Sequence, residues 1–570
     1  MVLSASCIIK VQYSSTTASS RRAWRIRLLY PHLVSPDPVE HTISEKHLAR
    51  HDSVRVTESR IIEFKRVDKC ALCAYLLLLL SAAVALTAYA EDAAQNGPSQ
   101  AAPISPEVNK YVDIDAHNGS VRLIHVRVID GTGTAPQEDQ TLEISDGKIT
   151  AVGPTRSADV ADGKTIFDMT GRTLIPGIVG MHDHLFYVAR ADDNAERQTN
   201  YPSLLPQMTY TAPRLYLANG VTTLRTTGSV EPYAELNLKH EIEANRTPGP
   251  HMDVTGPYLQ GAPNLFLQMH TLTGPEDARA TVDFWAAQGA TSFKAYDHIT
   301  RAELKAAIEA AHAKGLKITG HLCSVTYPEA AELGIDNIEH GFFFNTQLDP
   351  GKEPDVCPAT YGGPTLKAMD PDGPAAKALI ALLVSKHVAI TSTLPVFEED
   401  GNMNPPLRQR ALDAMTPQAR ETYLYERNAD TTSSRNGFQH YHEVAFMRGQ
   451  QLERSFVAAG GLLLAGPDPT GDGHILPGFG DQREVELLVD SGFTPVEAIK
   501  IATLNGATYL GQSDHIGSIA VGKNADLVVV KGDPSIHIHD IENVELVFRD
   551  GLGFNSAKLL ESVKGRFGLY

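Results

Sequence analysis

The sequence predicts an α/β protein whose main part is a (β/α)8 TIM barrel, inserted into a small β-sandwich that both ends of the chain build. Between residues 178 and 505, eight short runs of apolar and β-branched residues alternate with stretches of helical periodicity. On either side, at residues 121–177 and 506–570, short segments alternate apolar and polar residues between Gly and Asp turn signals. The 570 residues suffice for one large barrel and one smaller domain.

The barrel prediction rests on the order of its elements. We expect strands in the run that ends at His184 and at residues 221–226, 252–256, 291–296, 317–321, 337–341, 388–394 and 462–465. Helical text lies between them, and RAELKAAIEAAHAKG at residues 301–315 repeats its apolar residues at the 3.6 spacing of a buried helix face. Eight strand-helix units in sequence are typical of a barrel.

The flanking segments read as short antiparallel strands. VRLIHVRVIDGTG, TLEISDGKITAVG and KTIFDMTGRTLIPG precede the barrel, and HIGSIAVGKNADLVVVKGD and VELVFRDG follow it. Asp146-Gly147 is a dipeptide typical of a tight hairpin turn. We therefore predict one sandwich, with its first part at residues 121–177 and its second at 506–570, and the barrel at 178–505 between them.

The beginning of the chain reads as a targeting segment. Residues 71–90, ALCAYLLLLLSAAVALTAYA, are apolar and end in an A-x-A cleavage pattern, and Lys65, Arg66 and Lys69 precede them. This pattern favours a cleaved secretory signal, while its length would also suit an uncleaved anchor or a buried helix. We assign residues 1–90 to an N-terminal extension and signal peptide, and 91–120 to a linker. The protein is then periplasmic or secreted, and it meets the membrane only transiently.

Some seventy residues precede the signal, which is unusual. Residues 1–30 are rich in Ser and Arg and poor in acids, as in an organellar transit peptide. An over-extended start site, with translation beginning near residue 60, is the simpler explanation. Removal of the first ninety residues leaves Cys323 and Cys357, and two cysteines do not make a disulfide framework.

Charge excludes one class of partner. The formal net charge is -18, and no long Lys or Arg run marks the body of the chain. Nucleic-acid binding needs a basic surface that neutralises phosphates, so nucleic acid is not expected as a partner. A small-molecule substrate fits better, and the sequence leaves a homo-oligomer open.

Metal-ligand residue types gather at the predicted carboxyl ends of the strands, where barrel enzymes carry their active sites. Each of them alone has an ordinary structural explanation, such as a hydrogen-bonded surface His or a helix-capping Asp. A lysine in an apolar strand is less ordinary, because burial of an unpaired ammonium is costly. The set consists of His182, His184, Lys294, His321, His340 and Asp468. Together they predict a metal centre.

The chain resembles the amidohydrolase superfamily from residue 121 to the end. The resemblance rests on IPGIVGMHDH, GATSFKAYD, TGH, IEHG and AGPD, and on the closing GSIAVGKNADLVVV. Within the superfamily it is most similar to the two-metal branch that contains Xaa-Pro and Xaa-Arg dipeptidases and imidazolonepropionase-like proteins. Members that use one metal usually lack the lysine that stands here at position 294.

The resemblance implies a role for each strand-end residue. One metal is held by His182, His184 and Asp468, and the second by His321 and His340. The strand lysine bridges both metals as a carbamate formed with carbon dioxide. A metal-bridging hydroxide attacks the scissile carbonyl, and Asp468 moves its proton to the departing nitrogen. Zinc suits these ligands, while manganese, cobalt and iron stay open.

Four further residues are candidates for substrate contact. Tyr296 shares a strand face with the lysine, and His298 and His474 lie on predicted rim loops. Arg225 could pair with an anionic substrate group, although Thr226 follows it where related enzymes often have Asp. This departure touches no metal ligand, but it weakens any substrate assignment taken from relatives.

The expected function is hydrolysis of a C–N amide or peptide bond in a small substrate, with a dipeptide or an N-acyl amino acid as the nearest example. The alternative within enzymes is a lactone, ester or cyclic-amide hydrolase of the imidazolonepropionase type. A mononuclear deaminase would leave the strand lysine without a role. A metal-free binding protein would typically have lost ligands that are all present here.

Overall fold

The computed structural model describes residues 8–13, 23–29, 42–44, 103–156, 165–188, 205–264, 266, 268–400, 405–433, 438–469 and 475–568. The chain divides into two compact units, residues 1–101 and 102–570. The segment interpreted as a signal peptide, most of the predicted linker before residue 103, and His474 lie outside the described residues.

The first unit contains a three-stranded antiparallel sheet. Its strands are β1 (Ile8–Tyr13), β2 (Ala23–Leu29) and β3 (Thr42–Ser44), and β2 lies in the middle. None of these strands was expected from the sequence, because the N-terminal residues were set aside as a targeting extension. In the part of the chain that the structure describes, no helix is long and apolar enough to cross a membrane.

The second unit carries three groups of strands along the chain. The first group is β4 (Val112–Asp115), β5 (Val121–Val128), β6 (Gln137–Ser145), β7 (Lys148–Pro154), β8 (Thr165–Asp168) and β9 (Arg172–Pro176). The second is β10 (Ile178–Asp183), β11 (Val221–Thr226), β12 (His251–Val254), β13 (Ser292–Ala295), β14 (Lys317–Gly320), β15 (Asn337–Ile338), β16 (Ala389–Ser392) and β17 (Leu463–Ala465). The third is β18 (Leu527–Lys531), β19 (Val544–Arg549) and β20 (Leu552–Asn555).

The first and third groups form one nine-stranded mixed sheet. Strands β18 and β9 pair antiparallel, so the two ends of the unit join as the sequence predicts. Asp146 and Gly147 have φ values of 48° and 73° and connect β6 to β7, which confirms the predicted tight turn. The hydrogen bonding defines a single sheet, so by itself it does not establish a two-layered sandwich.

The second group consists of parallel strands in chain order. Hydrogen bonds connect the three strands from β10 through β12, and separately the five strands from β13 through β17. Isolated parallel bridges at Thr255–Ser292 and Leu259–Ala295 lie beside β12 and β13. After β17, the Asp468 backbone N–H donates to the carbonyl of His182 in β10 at 3.1 Å. All eight predicted strands are present, and their order is confirmed.

Helices connect the parallel strands and cover them. The helix Arg301–His312 begins with a capping box between Thr300 and Glu303, and it buries Leu304 and Ile308 on one face. The other helices are Pro106–Asn109, Thr211–Ala218, Pro232–Glu243, Pro275–Gln288, Tyr327–Leu333, Gly363–Ala368, Pro374–Ser385, Leu394–Asp400, Gln409–Ala414, Pro417–Ser433, Phe438–Ala458, Phe479–Asp490, Pro495–Lys500, Gly506–Tyr509 and Ser556–Val563, with a π-helix at Ile501–Asn505 and a 3-10 helix at Ile538–Glu542. The second unit is therefore a mixed α/β structure, as predicted.

A disulfide joins Cys323 and Cys357, which are 34 residues apart. Cys323 follows β14 and Cys357 lies in the long segment after β15, so the bond links the loops that extend from two neighbouring strands. The sequence predicted no disulfide framework, and the single bond found here is a local crosslink. Its partners could not be paired from spacing alone, because spacing does not show which loops meet.

Candidate metal centre

The six predicted ligands lie at the carboxyl ends of parallel strands. His182 is the penultimate residue of β10, and Lys294 is in β13. The other four residues follow β10, β14, β15 and β17. Because neighbouring parallel strands end at the same edge, these side chains can converge. All six are buried: His182, His184, Lys294, His321, His340 and Asp468.

His182 is at the centre of the group. Its Nε2 lies 3.1 Å from Lys294 Nζ and 3.5 Å from Asp468 Oδ1. His184 Nε2 lies 3.2 Å from the same carboxylate oxygen. Burial acts to raise the pKa of Asp468, yet the adjacent His182 and His184 hold it well below its usual range. The carboxylate is therefore ionised and surrounded by nitrogen atoms.

His321 and His340 complete the group on its other side. Their ring centroids lie 4.4 Å apart, and the His340 ring lies 4.6 Å from that of His182. His340 Nδ1 is 3.8 Å from Asp468 Oδ2 and contacts Thr393 Oγ1 at 2.9 Å. Thus the sequence-predicted ligands are brought together at one edge of the parallel strands.

The group has the chemistry of a metal site. His182, His340 and Asp468 offer ligand atoms that all lie within 4.8 Å of one another. Among the described residues, buried His340 Nε2 has no hydrogen-bond partner, although an imidazole nitrogen seldom stays unpaired in a protein interior. Imidazoles and carboxylate oxygens are ligands that zinc and related transition metals prefer. The residues present therefore fit a metal centre.

Burial sets the protonation of these groups. It lowers the pKa of the Lys294 ammonium to about 8 and that of His184 to about 4. It also lowers the pKa of His182, and it holds those of His321 and His340 well below the usual range. Neutral imidazoles bind metals, so the site is prepared for ligation near neutral pH.

Two of the predicted ligands have unusual backbone conformations. His340 has a φ of 66° and Asp468 a φ of 54°, in the left-handed region that residues other than glycine seldom adopt. Such conformations carry strain and cluster at functional sites, where the surrounding structure holds them. Here both occur at the point where a strand ends, and they aim the two side chains toward one another.

Glu339 fixes the orientation of His182, and sequence reasoning did not identify it. Its Oε2 accepts from His182 Nδ1 at 2.7 Å, which leaves the opposite ring nitrogen facing the group. Its Oε1 accepts from Asn337 Nδ2 at 2.8 Å and from the Thr319 hydroxyl. Such a carboxylate fixes the tautomer of a metal-binding histidine. The available signal was an acid directly after the short strand β15, beside His340.

Arg225 is buried beside the group, and its guanidinium is bonded to protein groups and not available to a substrate. Its Nη2 donates to Glu339 Oε1 at 2.7 Å and its Nε to the Met181 carbonyl at 2.9 Å, and the residue is 1% exposed. This placement corrects the substrate-binding interpretation made from the sequence. The guanidinium instead compensates the buried charge of the carboxylate that orients His182.

Two of the other substrate candidates directly follow β13. The Tyr296 ring is 4.9 Å from the His321 ring, and it is only partly buried. His298 is also partly buried, and its Nε2 lies 3.8 Å from Asp297 Oδ2. Tyr296 is in ring contact with a predicted ligand, whereas the side chain of His298 contacts the neighbouring Asp297. His474 lies outside the described residues.

A second cluster of ligand-type residues lies where β12 begins. His251, Asp526 and Asp550 offer atoms within 4.8 Å of one another. His251 Nε2 is 2.9 Å from Asp550 Oδ2, and Arg549 Nε is 4.0 Å from the same oxygen. Since an imidazole and a guanidinium face this carboxylate, the cluster is a polar contact that links β12 to the nine-stranded sheet.

Comparison with known proteins gives matches in sequence and in fold. A sequence model described as the amidohydrolase family matches residues 480–552. An adenine deaminase from Ligilactobacillus salivarius is 42% identical over 67 residues, 12% of this chain and 11% of its own length. An imidazolonepropionase from Stenotrophomonas maltophilia is 32% identical over 75 residues, 13% of this chain and 18% of its own length. The chain thus matches less than a fifth of these curated relatives.

The fold match is broader. The crystal structure of a Xaa-Pro dipeptidase with methionine bound in its active site has a TM-score of 0.56 and 19% identity, and the match covers 77% of this chain and 100% of that chain. At this identity the likeness concerns the fold alone. Together, the sequence and fold matches confirm the resemblance to the amidohydrolase superfamily that the strand-end residues indicate.

Proposed function

We propose that this protein is a metal-dependent hydrolase with two metal ions, which cleaves a C–N amide or peptide bond in a small substrate such as a dipeptide or an N-acyl amino acid. The observation that carries the proposal is the convergence of four histidines, a lysine and an aspartate at one edge of the parallel strands. No other cluster among the described residues combines these ligand types with burial.

In this proposal His182, His184 and Asp468 would hold one ion, and His321 and His340 would hold the second. Lys294 would serve as a shared ligand in the form of a carbamate, which requires a neutral amine. A pKa lowered to about 8 by burial makes a minor fraction of that neutral form available near neutral pH, far more than an ordinary lysine has. Two divalent ions, with zinc as the favoured metal, would lower the pKa of bound water to about 7 and polarise the scissile carbonyl.

The residues of the chain have distinct tasks in this reaction. Asp468 accepts a proton from the attacking water and delivers it to the departing nitrogen, and its ionised state suits the first of these steps. Glu339 keeps His182 Nε2 directed at the site. The rings of Phe186 and Phe344 pack on His184 and His321 at centroid distances of 4.4 and 4.2 Å, and so they limit the access of water.

The fold that we propose around this site is a closed (β/α)8 barrel at residues 178–505, with the two flanking segments as the sandwich. The bridges beside β12 and β13 and the hydrogen bond from Asp468 to His182 support closure, since they join the two hydrogen-bonded runs. We also propose that residues 71–90 direct the protein to the periplasm or outside the cell. The Cys323–Cys357 disulfide supports an oxidising compartment.

The alternative is hydrolysis of a lactone, an ester or a cyclic amide, because the same metal pair can activate water against those carbonyls. The sequence match to an imidazolonepropionase favours the cyclic amide among these. The two proposals share every metal ligand, so they differ only in the substrate.

The test combines elemental analysis of the purified protein with a substrate panel. The panel contains Ala-Pro, Ala-Phe, Ala-Leu and Ala-Arg, each with its N-acetyl counterpart, together with a γ-lactone and a five-membered cyclic amide. We expect near two equivalents of metal and release of free amino acid, both lost in Asp468→Asn. Near one equivalent would point to a mononuclear, deaminase-like enzyme. No metal after reconstitution would refute the proposal.

A further inference from the structure

A tyrosine that the sequence did not single out faces the candidate metal centre. Tyr361 lies in the long segment after β15, and its hydroxyl is 3.4 Å from His321 Nε2. Its ring lies 5.1 Å from that of Phe344, which stacks on His321. Tyr361 is partly buried, and the contact with His321 Nε2 places its hydroxyl beside a predicted ligand.

The hydrogen of this hydroxyl is already engaged. Tyr361 donates to Asp297 Oδ2 at 2.6 Å. The other oxygen, Asp297 Oδ1, accepts from Gln260 Nε2 at 2.6 Å, and the His298 backbone N–H in turn donates to Gln260 Oε1 at 3.1 Å. Asp297 is buried, and both of its oxygens are occupied. A phenol has one hydrogen, so the Tyr361 oxygen offers only lone pairs to any other group.

The loop holds this tyrosine in a strained conformation. Its φ of 49° lies in the left-handed region, which a bulky side chain seldom adopts. Both neighbours are anchored, since the Thr360 hydroxyl and the Gly362 N–H donate to Asp349 Oδ2 at 2.6 and 2.9 Å. The disulfide at Cys357 lies four residues before it. Strain maintained by so many contacts indicates a functional position.

We propose that Tyr361 is a specificity residue that accepts a hydrogen bond from the free α-amino group of a dipeptide. This inference rests on the proposed function and chooses between its two substrate classes, because an N-acyl amino acid has no ammonium group to donate. Asp297 is the positioning residue. By holding the phenol hydrogen, it makes the oxygen a stronger acceptor and adds negative charge beside the site.

The chemistry of the surroundings agrees with this assignment. A carboxylate or an oxyanion would meet the lone pairs of the Tyr361 oxygen and the buried charge of Asp297, and would be repelled. An ammonium would be attracted by both. The aromatic rings of Phe344 and Tyr296 lie 4.2 and 4.9 Å from the His321 ring, and a hydrogen bond to a charged group is stronger in such apolar surroundings.

The test compares Tyr361→Phe with the wild-type enzyme on the paired substrates of the panel. Loss of one hydrogen bond to a charged group corresponds to about 10- to 100-fold in kcat/KM. We expect that loss for the free-amine dipeptides and less than about twofold change for their N-acetyl counterparts. Tyr233→Phe is the matched control, because its exposed hydroxyl bonds to Gln288 away from the site.

Asp297→Asn gives an independent measurement. Its side-chain amide can donate to the Tyr361 oxygen, which turns the phenol hydrogen toward the substrate and opposes an ammonium. We expect the preference for free-amine substrates to fall as it does in Tyr361→Phe. If this variant does not fold, Tyr361→Phe decides alone, since the hydroxyl is the single group that it removes.

The outcomes separate this inference from the proposed function. Equal losses on both members of each pair, or none, would overturn the role of Tyr361 while leaving the hydrolase proposal in place. If the wild-type enzyme cleaved the N-acetyl members faster than the free-amine members, the role of Tyr361 would also be overturned. If the wild-type enzyme, loaded with metal, cleaves no member of the panel, the proposed function fails and the inference fails with it.

Discussion

Replacement of Glu339 by Gln tests whether a buried carboxylate prepares the metal centre. Gln has nearly the same size, so the change removes one charge without creating a cavity. Its oxygen can still accept from Arg225, but its NH2 group then faces His182 Nδ1. To accept that hydrogen bond, His182 must carry its own hydrogen on Nε2, the nitrogen that faces Asp468. The substitution therefore affects both stability and metal binding.

The size of the stability effect follows from burial. Glu339 is 0% exposed and Arg225 is 1% exposed, and they are joined at 2.7 Å. Neutralising one partner of such a pair leaves a buried charge without its counterion and costs about 3–5 kcal/mol. The donors at Thr319 and Asn337 keep their acceptor oxygen, so we expect a loss near the lower end, about 3 kcal/mol. Loss of the partner that orients His182 lowers metal affinity by about 10- to 100-fold.

The assay is urea unfolding in the presence of a chelator, monitored by tryptophan fluorescence. Trp285 reports on the second unit, because it packs against its main core. Four proteins form a double-mutant cycle: the wild type, Glu339→Gln, Arg225→Met and the double variant. We expect each single variant to lose more stability than the double variant, because removal of both partners leaves no unpaired charge. A competition titration with a chromophoric chelator then measures metal affinity.

Glu332→Gln serves as the control, since it removes an exposed carboxylate that pairs with Lys386 at 2.7 Å. Its effect should stay within about 0.5 kcal/mol. The reasoning would be refuted if Glu339→Gln were no more destabilising than this control and bound metal as tightly as the wild type. That result would mean that neither the buried pair nor the His182 tautomer depends on the carboxylate.

Three further predictions concern other parts of the second unit. Lys294→Ala should reduce the metal content measured by elemental analysis from near two equivalents to one or fewer, and retention of two metals with full activity would exclude the carbamate. Burial raises the pKa of Glu453 to about 8 from an ordinary 4.5, so its ionisation destabilises the native state as pH rises between these values. Glu453→Gln should therefore gain stability relative to the wild type by about 1.4 kcal/mol per pH unit from pH 5 to 8 in urea titrations, and a flat difference would contradict this. Cys357→Ser opens a loop of 34 residues, and it should lower the free energy of unfolding by about 4 kcal/mol relative to the oxidised wild type, while matching the reduced wild type.

Much of the candidate site could be predicted because this part of the chain repeats one structural unit, a strand followed by a helical segment. Each strand of the second group is followed by a return segment that is largely helical, so every strand points the same way and its carboxyl end reaches the same edge. A residue such as His321 or Asp468 therefore needs only its position at the end of a strand to be assigned to the site. No contact between distant residues has to be known in advance.

The misjudged residues are those whose role depends on the direction of a side chain. Arg225 was interpreted as a substrate contact because a guanidinium near the end of a strand could pair with an anionic substrate group. The structure turns it inward, where Glu339 lies 114 residues away in sequence. Tyr361 gave no signal at all, since it lies in an irregular segment without periodicity. Its relation to the site comes from a left-handed backbone and a hydrogen bond to Asp297.

The sequence by itself determined the α/β character, the order of the eight parallel strands and the ligand types that end them. Those properties follow from local periodicity and from the regular alternation of strands and helices. Only the tertiary structure decided that Glu339 orients His182, that Cys323 bonds to Cys357, and which strands pair within the nine-stranded sheet. These depend on which distant segments pack together, and burial, rather than spacing along the chain, determines the partners of a charge or a thiol.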